Sequence, residues 1–146
     1  MKKYFAIVLP LFFLGCNSNS NQLSKSNQAK MSQTNLKNEK ARNQPFLQEM
    51  FRDDYFPNVV VEKGKDILVE LCFQIEEKKP KNLPELYQLT HAATDKFNDL
   101  EQDFEENGSE IETGAREAIG MDFYFIAMAY GYENADPEML IVTRDW

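Results

Sequence analysis

His91 is the only histidine in the 146 residues, and two carboxylates follow it at four-residue steps, Asp95 and Asp99. On a helix, residues four apart stand on one face. An imidazole oriented by a carboxylate, with a second carboxylate one turn on, is the donor set of a metal site or of a hydrolytic acid–base pair. The pattern has low specificity. Di-iron bundles use paired Glu-x-x-His motifs, whereas here Gln88 holds the glutamate position and no second histidine exists. Helical histidines and carboxylates fall into this spacing readily. A packing role for His91, with Thr90 and Thr94 bonding locally, is therefore the expected one. A metal-binding or hydrolytic module on His91, Asp95 and Asp99 is the alternative.

Asp122 stands in the most apolar stretch of the folded part, Ala118 to Tyr130, where an unpaired carboxylate is costly. Arg116 and Arg144 are its expected partners in a structural ion pair that docks the end of the chain. The competing reading is a carboxyl of raised pKa lining a pocket. Glu101, Asp103, Glu105, Glu106, Glu110 and Glu112 lack the alternating spacing of a calcium loop and read as a solvated acidic face. Cys72 falls among Leu68, Leu71 and Ile75 at helical spacing, as a small buried hydrophobe does. There is no phosphate loop, serine nucleophile motif or Cys-x-x-Cys pair. The expectation is a non-enzyme with no catalytic residue, no resident metal and no cofactor.

The other cysteine, Cys16, carries a more specific pattern. Lys2 and Lys3 precede an uncharged apolar run, Tyr4 to Leu14, which Phe13-Leu14-Gly15-Cys16 closes. A small residue directly before a cysteine suits a lipoprotein signal peptidase, with the Cys16 thiol taking the lipid. Eleven residues span only about 16 Å as a helix, too short for a permanent membrane crossing. An ordinary secretory signal cleaved nearby is the alternative, and Phe13 stands where leucine is commoner. Residues 1–15 are thus expected to be a signal peptide and Cys16 a lipid anchor in the cell envelope. Asn17, rather than aspartate, favours the periplasmic face of the outer membrane if the bacterium has two membranes.

Elements must position these groups. Residues 16–44 read as a tether rich in Asn, Ser, Gln and Lys, without an aromatic residue. Its five basic residues against Glu39 give +4, whereas 9 basic and 23 acidic residues from Pro45 onward give −14. So acidic a domain makes few phosphate contacts, which excludes nucleic acid and suits a basic protein partner. Residues 45–146 are expected to form one all-α domain, a compact antiparallel bundle of about four to five helices. A first helix spans Pro45 to Arg52, and a second runs from Pro57 to Lys78, with Val59-Val60-Val61 as a strand alternative. A third opens at Asn82, with Pro84 and Glu85 completing a capping box. Leu86, Leu89, Ala93, Phe97, Leu100 and Phe104 make its seam. A fourth runs from Glu110 to Tyr130 behind a second box, Ser109 and Glu112, and its apolar faces place it at the bundle centre. Asp136 and Pro137 open a short closing helix, and Trp146 is expected to pack.

From Met50 through Trp146 the chain resembles a bacterial family of small proteins known only as a domain of unknown function. The matching segments are Asp54-Tyr55-Phe56-Pro57, Leu89-Thr90-His91-Ala92-Ala93-Thr94, Lys96-Phe97-Asn98-Asp99-Leu100, Glu106-Asn107-Gly108-Ser109-Glu110-Ile111-Glu112-Thr113 and Arg144-Asp145-Trp146. The resemblance implies no chemistry. Members generally start near the first helix, so the signal and tether are a departure. The resulting expectation is an envelope lipoprotein whose acidic helical domain binds protein, in an immunity-like or inhibitory role.

Overall fold

A computed structural model describes residues 31–146. The expected signal peptide, Cys16 and the tether up to residue 30 lie outside the described residues. A single 3-10 turn, Gln33–Asn35, is followed by α1 (Glu39–Asn43), α2 (Gln48–Arg52), α3 (Asn58–Lys78), α4 (Leu83–Glu106), α5 (Thr113–Ala129) and α6 (Pro137–Leu140). No strand occurs among the described residues, and the fold is the all-α bundle that periodicity implied.

The α3–α4 hairpin is its frame. Asn82 Oδ1 accepts the Glu85 N–H at 3.0 Å, while Glu85 Oε2 accepts the Lys81 N–H at 2.8 Å, so the capping box closes one residue further out than expected. Leu86, Ala93, Phe97, Leu100 and Phe104 are buried along the seam. Where α4 crosses α3 the packing is tight at a glycine: a Cβ on Gly64 would lie 3.0 Å from Leu47 Cδ1 and 3.1 Å from Phe97 Cε1, so these side chains would have to shift by a few tenths of an ångström. Val59, Val60 and Val61 are helical, with Val60 and Val61 buried and Val59 exposed. Tertiary burial here overrides their β preference.

Both long helices that feed α5 and α6 end on glycine in the left-handed region. After α4, Gly108 (φ +79°) lets the Ser109 N–H reach the Phe104 carbonyl at 3.0 Å. After α5, Gly131 (φ +90°) lets the Tyr132 N–H reach the Ala127 carbonyl at 2.9 Å. Each is a Schellman closure that satisfies otherwise orphaned carbonyls.

Three expectations are corrected. First, the packed domain begins well before Pro45. Leu36 and Ala41 are buried, Asn38 caps α1 through the Ala41 N–H at 3.1 Å, and Gln33 Nε2 donates to the Ala41 and Gln44 carbonyls at 2.9 and 2.7 Å. Residues 31–44 are thus an arm packed on the bundle; their polarity misleads because it is spent on backbone groups. Second, Pro45 does not open a helix; Leu47 takes a left-handed conformation (φ 55°) and α2 starts at Gln48. Third, the Ser109/Glu112 box does not form. Ser109 and Ile111 are buried while Glu110 and Glu112 are exposed, an extended alternation that delays α5 to Thr113. Ser109 Oγ is left buried without a partner.

Candidate functional site

Helix α5 is not sheathed on all sides. Ile119, Phe123 and Ile126 are fully buried, with Phe123 tilted against Phe97 at 5.9 Å between ring centres. Met121 is 73% exposed, and Tyr124 and Met128 are each 37% exposed. These three recur at intervals of three and four, so they form one stripe. Apolar periodicity alone could not tell this solvent face from the core face, because both carry large hydrophobic residues.

A groove of about 540 Å³ takes in Met121 and Tyr124 of that stripe and continues toward Arg116 and Glu117. Met121, Tyr124 and Gly120 form one wall, and Pro137, Ile141 and Trp146 the other. The second wall is held by α6, which Asp136 caps by accepting the Glu138 N–H at 2.9 Å. Trp146 packs as expected at 7% exposure, yet its Nε1 is buried without a partner. Arg116 and Glu117 stand at the rim, and Arg144 donates to Glu138 at 2.8 Å across the second wall.

The groove therefore takes up both arginines assigned to Asp122. Arg144 pairs with Glu138, and Arg116 Nε donates to the Ile111 carbonyl at 3.4 Å. Among the described residues Asp122 makes no ion pair. Residues 116 and 122 are six apart, about 120° from sharing a face, and Asp122 looks toward the arm. Its Oδ2 accepts the Leu47 N–H at 2.7 Å and its Oδ1 accepts Gln44 Nε2 at 3.1 Å. Burial raises this carboxyl above its ordinary value, against the lowering effect of the two N–H donors. The left-handed turn at Leu47 is what aims that N–H inward.

Glu76 is the second carboxylate that receives the arm. Its Oε1 accepts the Lys37 and Asn38 N–H groups, both at 2.9 Å, and the Tyr130 hydroxyl at 2.8 Å. Burial pushes its pKa up, but the donors from Asn38, Lys37 and Tyr130 outweigh it and leave the carboxyl below its usual value. Asn38 Nδ2 also reaches the Ala129 carbonyl at 2.8 Å, tying the arm to the end of α5. Beneath them burial pushes the Cys72 thiol up to about 12, so it stays protonated and unreactive at neutral pH. No sequence signal marked Glu76, because its partners lie about 40 and 54 residues away.

His91 faces the closing segment. Its Nε2 sits 2.7 Å from the Met139 carbonyl, so it carries the hydrogen, and its ring stacks on Tyr87 at 6.0 Å. Asp95 and Asp99 are exposed. Among the described residues no three His, Cys, Asp or Glu side chains converge to hold a metal. His91, with Asn98 Nδ2 on the Thr143 carbonyl at 3.0 Å, anchors the C-terminal segment to α4.

No helix among the described residues is long and apolar enough to cross a membrane. The model of a family of unknown function (DUF5713) matches residues 40–146, which takes in all but the first residue of α1 as well as the stretch from Met50. No curated protein and no solved structure matches the chain.

Proposed function

We propose that this chain, which belongs to the DUF5713 family of unknown function, is an envelope lipoprotein whose helical domain binds a protein partner. The observation that carries the binding role is the exposed Met121–Tyr124–Met128 stripe, whose Met121 and Tyr124 line the groove. An exposed apolar strip next to a formed concave wall is a feature of interaction sites. Scattered single hydrophobics need no such explanation. The acidic remainder of the domain steers a basic partner by charge complementarity, while the groove supplies the short-range apolar contact. Such a division of labour fits an immunity-like or inhibitory protein held where its target arrives.

The address rests on the sequence around Cys16, and lipidation there fixes the domain to the membrane. Affinity capture from envelope extracts with the full chain tests the binding role. A partner retained at low salt, released at high salt and lost with Met121→Glu supports it. An identical protein profile from wild type and Met121→Glu overturns it. Labelled palmitate incorporated by wild type but not by Cys16→Ala supports the address.

A further inference from the structure

The bundle carries its charge unevenly along its axis, and we propose that the anchored domain stands on an anionic phospholipid surface with one particular end down. That end holds the last turn of α3, the α3–α4 connection and the segment after α5. Lys37, Lys79, Tyr130 and Tyr132 border one cavity there, and the Tyr132 hydroxyl donates to the Pro80 carbonyl. Lys78, Lys79 and Lys81 enter no ion pair among the described residues. With Lys37 they face Glu76, Glu77, Glu85, Glu133 and Asp136, so this end carries a net charge of only −1 in a domain that is otherwise strongly acidic.

The opposite end gathers Glu101, Asp103, Glu105, Glu106, Glu110 and Glu112. Lys63 reaches in to Asp103 at 2.7 Å, which leaves a net −5. Ring contact between Phe56 and Phe104 at 6.3 Å places the start of α3 at this end too.

The 21 residues of α3 put the two ends about 30 Å apart. That is about three Debye lengths at 0.1 M salt. An anionic bilayer therefore repels the acidic end when it is near and scarcely senses it when it points away. At a surface potential of about −30 mV, five negative charges are disfavoured at the surface by an upper bound on the order of 300-fold.

Anchor geometry permits this weakly charged end to reach the surface. Fourteen residues lie between Cys16 and Met31, at most about 50 Å of chain. Met31 borders a cavity with Asp66, Ile67 and Glu70 midway along α3, and the arm runs from there to the last turns, where Lys37 and Asn38 meet Glu76. Exposed lysines at a helix end, Lys78, Lys79 and Lys81, suit the headgroup layer, where long cationic side chains are at home.

The inference rests on lipidation at Cys16, and its test separates the two. The lipidated full chain is reconstituted into vesicles with or without phosphatidylglycerol, with a single fluorophore at Asn134→Cys or at Asn107→Cys; buried Cys72 does not compete for label. A headgroup quencher should act at least severalfold more on the label at position 134 in anionic vesicles. The ratio should approach one in phosphatidylcholine or at 0.5 M salt, and should fall in Lys78→Glu/Lys81→Glu. Protein that floats with the vesicles but is quenched equally at both labels overturns the orientation alone. Protein that fails to float overturns the anchor and the orientation together.

Discussion

Replacing Glu76 with alanine should release the arm from α3. Wild-type Glu76 accepts two backbone N–H groups and one phenol, with its charge intact. A hydrogen bond to a charged group contributes about 1.5–3 kcal/mol when desolvated. Here Lys37 is exposed and Asn38 and Tyr130 only half-buried, so water recovers much of each. A total of about 2–3 kcal/mol remains, and for a domain of this size that lowers Tm by roughly 8–12 °C. Glu76→Gln keeps an acceptor oxygen without the charge and should cost about 1 kcal/mol. Hydrogen exchange locates the effect: amides of 36–44 should lose protection in Glu76→Ala while those of the α4 seam keep theirs. The pH dependence has a definite sign. Because the folded Glu76 carboxyl lies below its usual value, its contribution is complete above the unfolded pKa of about 4.3. It is lost as pH falls through the folded value. The wild-type advantage over Glu76→Gln should therefore vanish in acid. A Glu76→Ala protein within 0.5 kcal/mol of wild type, with unchanged exchange in the arm, refutes the reasoning.

Asp122 should show the opposite sign. Burial raises its folded carboxyl, so stability is lost as pH rises from the unfolded to the folded value. Asp122→Asn should remove that loss in urea titrations across pH 3–6, whereas Asp122→Ala should cost about 2 kcal/mol by orphaning the Leu47 N–H. Gly64→Val should destabilise by about 2–3 kcal/mol in urea unfolding, since its first carbon already meets Leu47 and Phe97. Met121→Glu should leave unfolding within about 0.5 kcal/mol, because the side chain is mostly exposed, so that any lost capture reports binding. His91→Ala should loosen residues 139–146 in hydrogen exchange at a cost of about 1 kcal/mol.

Local physics made much of the bundle legible in the sequence. The α4 seam, Asn82 with Glu85, the terminating Gly108 and Gly131, and the Asp136–Pro137 start each express a preference confined to one or two turns of chain. The proposed lipidation at Cys16 rests on a contiguous pattern of the same local kind, outside the described residues. What tertiary structure decided is who meets whom across the chain. Asp122 could be recognised as a buried carboxylate in need of donors. That Leu47 and Gln44 supply them, 75 and 78 residues away, follows from how the arm lies across α5. The arm itself read as tether because polar composition reports low burial only on average; Gln33, Asn38 and Gln44 turn their amides to backbone or carboxylate partners instead of water. The exposed stripe of α5 was hidden for the converse reason, since a helix apolar on every side does not say which side its neighbours leave open. Short-range preferences sum along the chain and can be read from it. Partners fixed by packing depend on every element at once, and only the folded arrangement assigns them.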